Sequence, residues 1–181
     1  MGLFLQKVNI IRDFHQDFLE NRCFWPKEIW SKYTDNLSNF NDTRHRDKAV
    51  SCLNHLICDA MQHVPDVLQY LSSLRTPSVF RFCAIPQVMA IATLSECYNN
   101  PLLFERNIKI RRSKTAKVKK VLCKLFMNTN SIQDVLTTFN QEALKITKNM
   151  NLKDATTLEC SKRLAEVQLH LTKDISSSKK C

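Results

Sequence analysis

The chain has one glycine and five prolines in 181 residues, too few to turn β-hairpins or to build a Gly-rich phosphate loop. No G-x-G-x-x-G run occurs, which excludes a Rossmann-type dinucleotide site. No run reaches the ~20 apolar residues needed to span a bilayer. The longest, Cys83–Leu94, is interrupted by Pro86 and Gln87. Asn41-Asp42-Thr43 matches a glycosylation tripeptide, but with no signal-peptide pattern in these residues it is expected to be a chance match. Eight cysteines, at 23, 52, 58, 83, 97, 123, 160 and 181, show no paired framework, and reduced thiols in a cytosol-facing protein are the expected state. Cys52, His55 and Cys58 raise the question of zinc. On a helix, however, positions 52 and 58 lie about 240° apart around the axis, which sets them against a shared tetrahedral ion.

What is plentiful is Leu, Ala, Lys, Gln and Glu, the residues of helices. The spacing predicts helices over 2–22, 27–32 and 47–71, the last interrupted near Pro65, then from Thr76-Pro77 to about Tyr98. Further helices are expected near Lys117–Met127 and from Ser131 to about residue 173, with a break at Asn149–Asn151. Thr34–Arg46 has the Asn and Asp content of a loop. The reading is all-α with no internal repeat.

The net charge of +10 is local: nine of the 27 bases lie between Arg106 and Lys124, where no acid occurs, leaving 18 bases against 17 acids elsewhere. Such a segment suits cofactor phosphates, a nucleic-acid backbone or an acidic membrane surface, or is simply a solvated run. It has no interleaved aromatics for base stacking, which argues against nucleic acid.

The first helix carries Gln6, Asn9, Asp13 and Asp17, which at ~100° per residue share a stripe about 80° wide. Leu3, Ile10 and Phe14 lie beside it, then Phe4, Ile11 and Phe18, so the carboxylates border the inward face. Carboxylates there need a cation or a donor. Mg²⁺ suits them, since it accepts one or two carboxylates and fills its other positions with water and phosphate oxygens. A solvated helix face is the alternative.

Residues 3–17, L-F-L-Q-K-V-N-I-I-R-D-F-H-Q-D, resemble the second aspartate-rich motif of squalene synthases. The resemblance continues through F-W-P-K-E-I-W at 24–30, H-V-P-D-V at 63–67, S-V-F-R-F-C-A-I-P-Q-V-M-A-I-A-T-L at 78–94, C-Y-N-N at 97–100 and K-I-R at 109–111. It is strong over 1–112 and weak over 113–175, with 176–181 a polar tail. It implies the C-terminal part of a single isoprenoid-synthase-type helical bundle, present as a partial domain. It also implies an activity: head-to-head condensation of two farnesyl diphosphates through presqualene diphosphate, then NADPH-dependent reduction to squalene for sterol synthesis. Carried onto this chain, Asp13 and Asp17 are the Mg²⁺ and diphosphate ligands, with Gln6 and Asn9 as polar substrate neighbours. Phe82 lines the cavity and faces the carbocation, plain core packing being its other reading. Arg12, Lys109 and Arg111 are the NADPH contacts, while Lys114–Lys124 have no counterpart.

Gln16 stands where the family's D-x-x-E-D motif has glutamate, which removes one negative charge beside the metal. Nothing here resembles the family's first aspartate-rich motif, so the chain reads as a fragment. Membrane association is expected only through a segment outside it. The complete protein is expected as a monomer on the cytosolic face of the endoplasmic reticulum membrane. A catalytically inactive, squalene-synthase-like binding module is the alternative, and an unrelated basic helical protein a third.

Overall fold

The computed structural model describes residues 1–109, 132–150 and 157–177, and among these every regular element is helical. In chain order α1 is Gly2–Arg12, α2 Phe14–Leu19, α3 Lys27–Trp30, α4 Arg46–Met61, α5 Val64–Ser73, α6 Pro77–Cys97, α7 Ile132–Lys148 and α8 Thr157–Ser177. Short 3₁₀ turns occupy Leu37–Asn41, Thr43–His45 and Pro101–Phe104. Helix α6 packs between α1 and α7, α4 packs on α1 and α8, and α7 closes against α8.

Apolar spacing accounts for these layers. In α4, Cys52, Leu53, Leu56, Ile57, Ala60 and Met61 recur at three and four and are buried. Helix α6 is apolar on nearly every side, and Phe80, Ala84, Val88, Ile91 and Leu94 are all buried, as befits a central helix. By length and composition alone it is also long and apolar enough to cross a bilayer, but most of it faces protein. Pro77 opens α6 as predicted. Pro65, in the first turn of α5, divides the long predicted helix at Gln62–His63.

The predicted first helix, 2–22, is corrected in two places. It bends at Asp13 (φ −91°, ψ 8°), between α1 and α2, and it ends at Leu19. The end is a Schellman motif: Asn21 takes φ 55°, the Arg22 N–H donates to the Asp17 carbonyl (2.7 Å) and the Asn21 N–H to that of Phe18 (3.0 Å). Asn tolerates the left-handed conformation that this closure requires. Leu3, expected beside the inward face, is 56% exposed, whereas Phe4, Ile11 and Phe14 are buried.

The expectation of reduced thiols throughout is also corrected. Cys58 of α4 and Cys160 of α8 are joined as a disulfide, with Cα atoms 5.3 Å apart, a spacing suited to the bond. They lie 102 residues apart in sequence, and only the packing of α4 on α8 brings them together. Cys52 and Cys97 are buried free thiols, and burial raises both pKa values, that of Cys97 to about 12. The Cys52, His55, Cys58 trio does not converge on an ion: Cys58 is in the disulfide and His55 Nδ1 hydrogen-bonds the Tyr33 hydroxyl at 3.0 Å. Cys123, Cys181, the predicted helix near Lys117–Met127 and the Ser131 helix start lie outside the described residues. Of the predicted polar tail, Ser176 and Ser177 belong to α8.

An aromatic cluster fixes the α1–α2 bend. Trp25 packs on Phe14 with centroids 4.3 Å apart and meets Phe104 edge-on at 6.0 Å and Phe40 at 6.1 Å. Its indole Nε1 donates to the Ile10 carbonyl (3.1 Å), so the ring is both buried and oriented.

Candidate functional site

Asp13 stands where α1 meets α2. Its backbone N–H donates to the Asn9 carbonyl, and its own carbonyl accepts from the Asp17 N–H, both at 2.9 Å, so the two carboxylates sit one helical turn apart despite the bend. The Asp13 carboxylate accepts two hydrogen bonds of 2.7 Å from Arg12, through Nε and Nη2. That pairing raises the Arg12 pKa further. Asp17 is 8% exposed, and its Oδ1 accepts from Arg22 Nη2 (2.9 Å) and Nε (3.2 Å). The Schellman turn that ends α2 brings Arg22 back over Asp17, and Arg22 also pairs with Glu20 at 2.7 Å.

Beside Asp13 opens a cleft of about 410 Å³. Arg12, Asp13 and Lys109 give it charge, and Met89 and Thr93 of α6 form its floor with Asn107 and Ile108. The segment that carries Lys109 is positioned by asparagines. Asn99 takes φ 53° after α6 and donates its N–H to buried Asn54 Oδ1 of α4 (2.9 Å). Asn100 caps the next turn through the Leu102 N–H (3.1 Å), and His15 Nδ1 lies 3.2 Å from the Phe104 carbonyl, tying α2 to that turn. Gln16, at the motif's glutamate position, meets Glu20 at 3.1 Å and accepts from Asn107 at 3.4 Å.

The structure thus brings three of the sequence-predicted residues, Arg12, Asp13 and Lys109, onto one cleft, with Asp17 one turn away. Gln6 and Asn9 are exposed on α1. Phe82 is 79% exposed on α6, which overturns the core-packing reading. Arg111 and Lys114–Lys124 lie outside the described residues. Sequence reasoning missed Arg22, Asn54 and Asn107. The Asn21-Arg22 pair was a legible stop signal for Arg22. Asn54 looked like any polar residue within a helix.

Among known families, residues 1–116 match Squalene/phytoene synthase. Squalene synthase of Candida albicans is 43% identical over 171 residues, covering 93% of this chain and 37% of the relative. That of Rattus norvegicus is 60% identical over 112 residues, covering 62% of this chain and 27% of the relative. A solved complex of TcSQS with the ligand E5700 superposes with a TM-score of 0.86 at 44% identity, over 96% of this chain and 49% of that one. The chain therefore spans well under half the length of these curated relatives. Because the family pattern holds over most of its length and its helices superpose on that solved fold, this chain belongs to the squalene/phytoene synthase family.

Proposed function

We propose that the chain forms one wall of a squalene synthase active site, which condenses two farnesyl diphosphates to presqualene diphosphate and reduces that product to squalene with NADPH. The observation that carries this reading is the cleft shared by Arg12, Asp13 and Lys109, in a chain whose relatives are squalene synthases. Mg²⁺ fits the donor set, because Asp13 and Asp17 offer only hard carboxylate oxygens one turn apart. Asp13 and Asp17 would hold it, and it would supply positive charge against a leaving diphosphate.

The chain's own residues position and balance charge. Asp13 orients Arg12 through its two-point pair, and Lys109 adds a second cation to the same cleft, so a phosphate there meets positive charge from two elements. These groups suit the phosphates of NADPH, which would supply the hydride; Arg111, which the family resemblance also assigns to the cofactor, lies outside the described residues. Met89 and Ile108 give the cleft apolar surface. Gln6 and Asn9 are the polar substrate contacts, and the exposed ring of Phe82 offers its face to a carbocation. The complete protein is a monomer on the cytosolic face of the endoplasmic reticulum membrane, held by a segment outside this chain.

In the complete enzyme with limiting NADPH, Lys109→Gln should block the reductive step and spare the first, so presqualene diphosphate accumulates. Lys119→Gln with Lys120→Gln should leave the product ratio unchanged, because these two bases have no counterpart in the family resemblance. Equal effects of the two changes would reduce this region to a diffuse positive field.

A further inference from the structure

The loop after α3 borders a second cleft, which shares no residue with the one at Arg12. It encloses about 270 Å³, and at ~30 Å³ per water that holds a phosphate-sized ion with part of its hydration shell. One wall is fixed by its own hydrogen bonds. Asn39 Nδ2 donates to Thr34 Oγ1 (3.0 Å), the Thr34 hydroxyl donates to the Asn36 carbonyl (2.9 Å), and Asn36 Oδ1 accepts from the Ser38 N–H (3.0 Å). Tyr33 is held by His55 at 3.0 Å. These bonds occupy the neutral polar groups of the wall and leave Lys32, Lys48, His45 and the Ser31 hydroxyl as the donors lining the space.

The charge balance favours an anion. Among the described residues neither Lys32 nor Lys48 is in an ion pair. Asp42, on the adjoining loop, is taken up by Arg44 through contacts of 2.6 and 2.9 Å, which leaves Asp35 as the one carboxylate lining the cleft. Two compact ammonium groups with three donors each, beside a hydroxyl and an imidazole, match the oxygens of a phosphate. We propose that this cleft binds a phosphate group between Lys32 and Lys48, either as the free ion or as the phosphomonoester headgroup of a lipid.

Inorganic phosphate titrated into the ¹⁵N-labelled full chain should give saturable shifts at the amides of Ser31–Asp35 and Lys48. Lys32→Gln with Lys48→Gln should weaken binding about tenfold or more, the scale of charge-assisted hydrogen bonds, while Lys48→Arg and Lys27→Gln retain it. Both lysines are exposed, and unchanged amide positions elsewhere verify that the double variant is folded. Vesicles of phosphatidylcholine containing phosphatidic acid separate the two sources. Displacement of phosphate with lysine-dependent co-sedimentation assigns the lipid headgroup, and phosphate binding without co-sedimentation assigns the free ion. No saturable shift at these amides, or equal weakening by Lys27→Gln, overturns the proposal.

Discussion

A carboxylate at Asp17 that is 8% exposed and balanced by Arg22 is a costly group to keep unless its charge is used. In the complete enzyme, Asp13→Asn or Asp17→Asn should lower squalene formation by orders of magnitude at saturating Mg²⁺, since a lost ligand removes several kcal/mol of charge stabilisation. Helical circular dichroism should stay unchanged, and full turnover in either variant would remove both residues from the metal site. His63 carries a different signature. Burial, reinforced by Lys7, holds its pKa below the ordinary value. The unfolded chain therefore takes up the proton first, so this contribution to stability is complete above about pH 6.5 and is lost as the pH falls below it. Denaturant midpoints measured between neutral and acidic pH should show that decline, and His63→Gln should flatten it. At this scale the sequence was informative where geometry is local: Asp13 follows Arg12 and Asp17 lies one turn on, so their proximity could be read from spacing. Asn54 could not, because its partner is 45 residues away.

Helix boundaries are decided by single residues in unusual conformations. The bend at Asp13 and the stop at Asn21 divide a segment whose apolar periodicity continues through both, which is why spacing alone predicted one helix from 2 to 22. Periodicity reports which face is buried, whereas closure depends on a left-handed residue that periodicity does not register. Asn21→Ala should cost about 1 kcal/mol for placing a Cβ-bearing, non-capping side chain at φ 55°, and Asn21→Gly should be neutral or stabilising. Urea midpoints of the two variants test this, and equal midpoints would mean that the turn carries no strain. Proline signals were read more accurately. Pro77 begins α6 and Pro65 lies in the first turn of α5, since a fixed φ and a missing N–H suit a first turn, whereas Pro86 sits inside α6 without ending it.

Across the whole molecule, α1 and α6 pack together yet leave Leu3 56% and Phe82 79% exposed, large apolar groups on two helices that line the bundle. The isolated chain should therefore bind a hydrophobic dye, and Leu3→Ser with Phe82→Ser should reduce that signal without lowering helicity; an unchanged signal would place the dye elsewhere. The layer order and the Cys58–Cys160 link were beyond sequence reading, because both depend on segments distant in sequence meeting in space, the two cysteines being 102 residues apart. The aromatic cluster at the α1–α2 bend, finally, makes the protein its own optical probe. The chain has two tryptophans, and Trp30→Phe leaves Trp25 as the single indole, packed at a tilt against Phe14, the neighbour of Asp13. A buried indole emits to the blue and is quenched or shifted when its contacts change. Titration of Mg²⁺ with inorganic diphosphate should therefore alter Trp25 emission in that single-tryptophan protein, and Asp13→Asn should abolish the response, giving a readout of the bend that requires neither turnover nor a coupled assay.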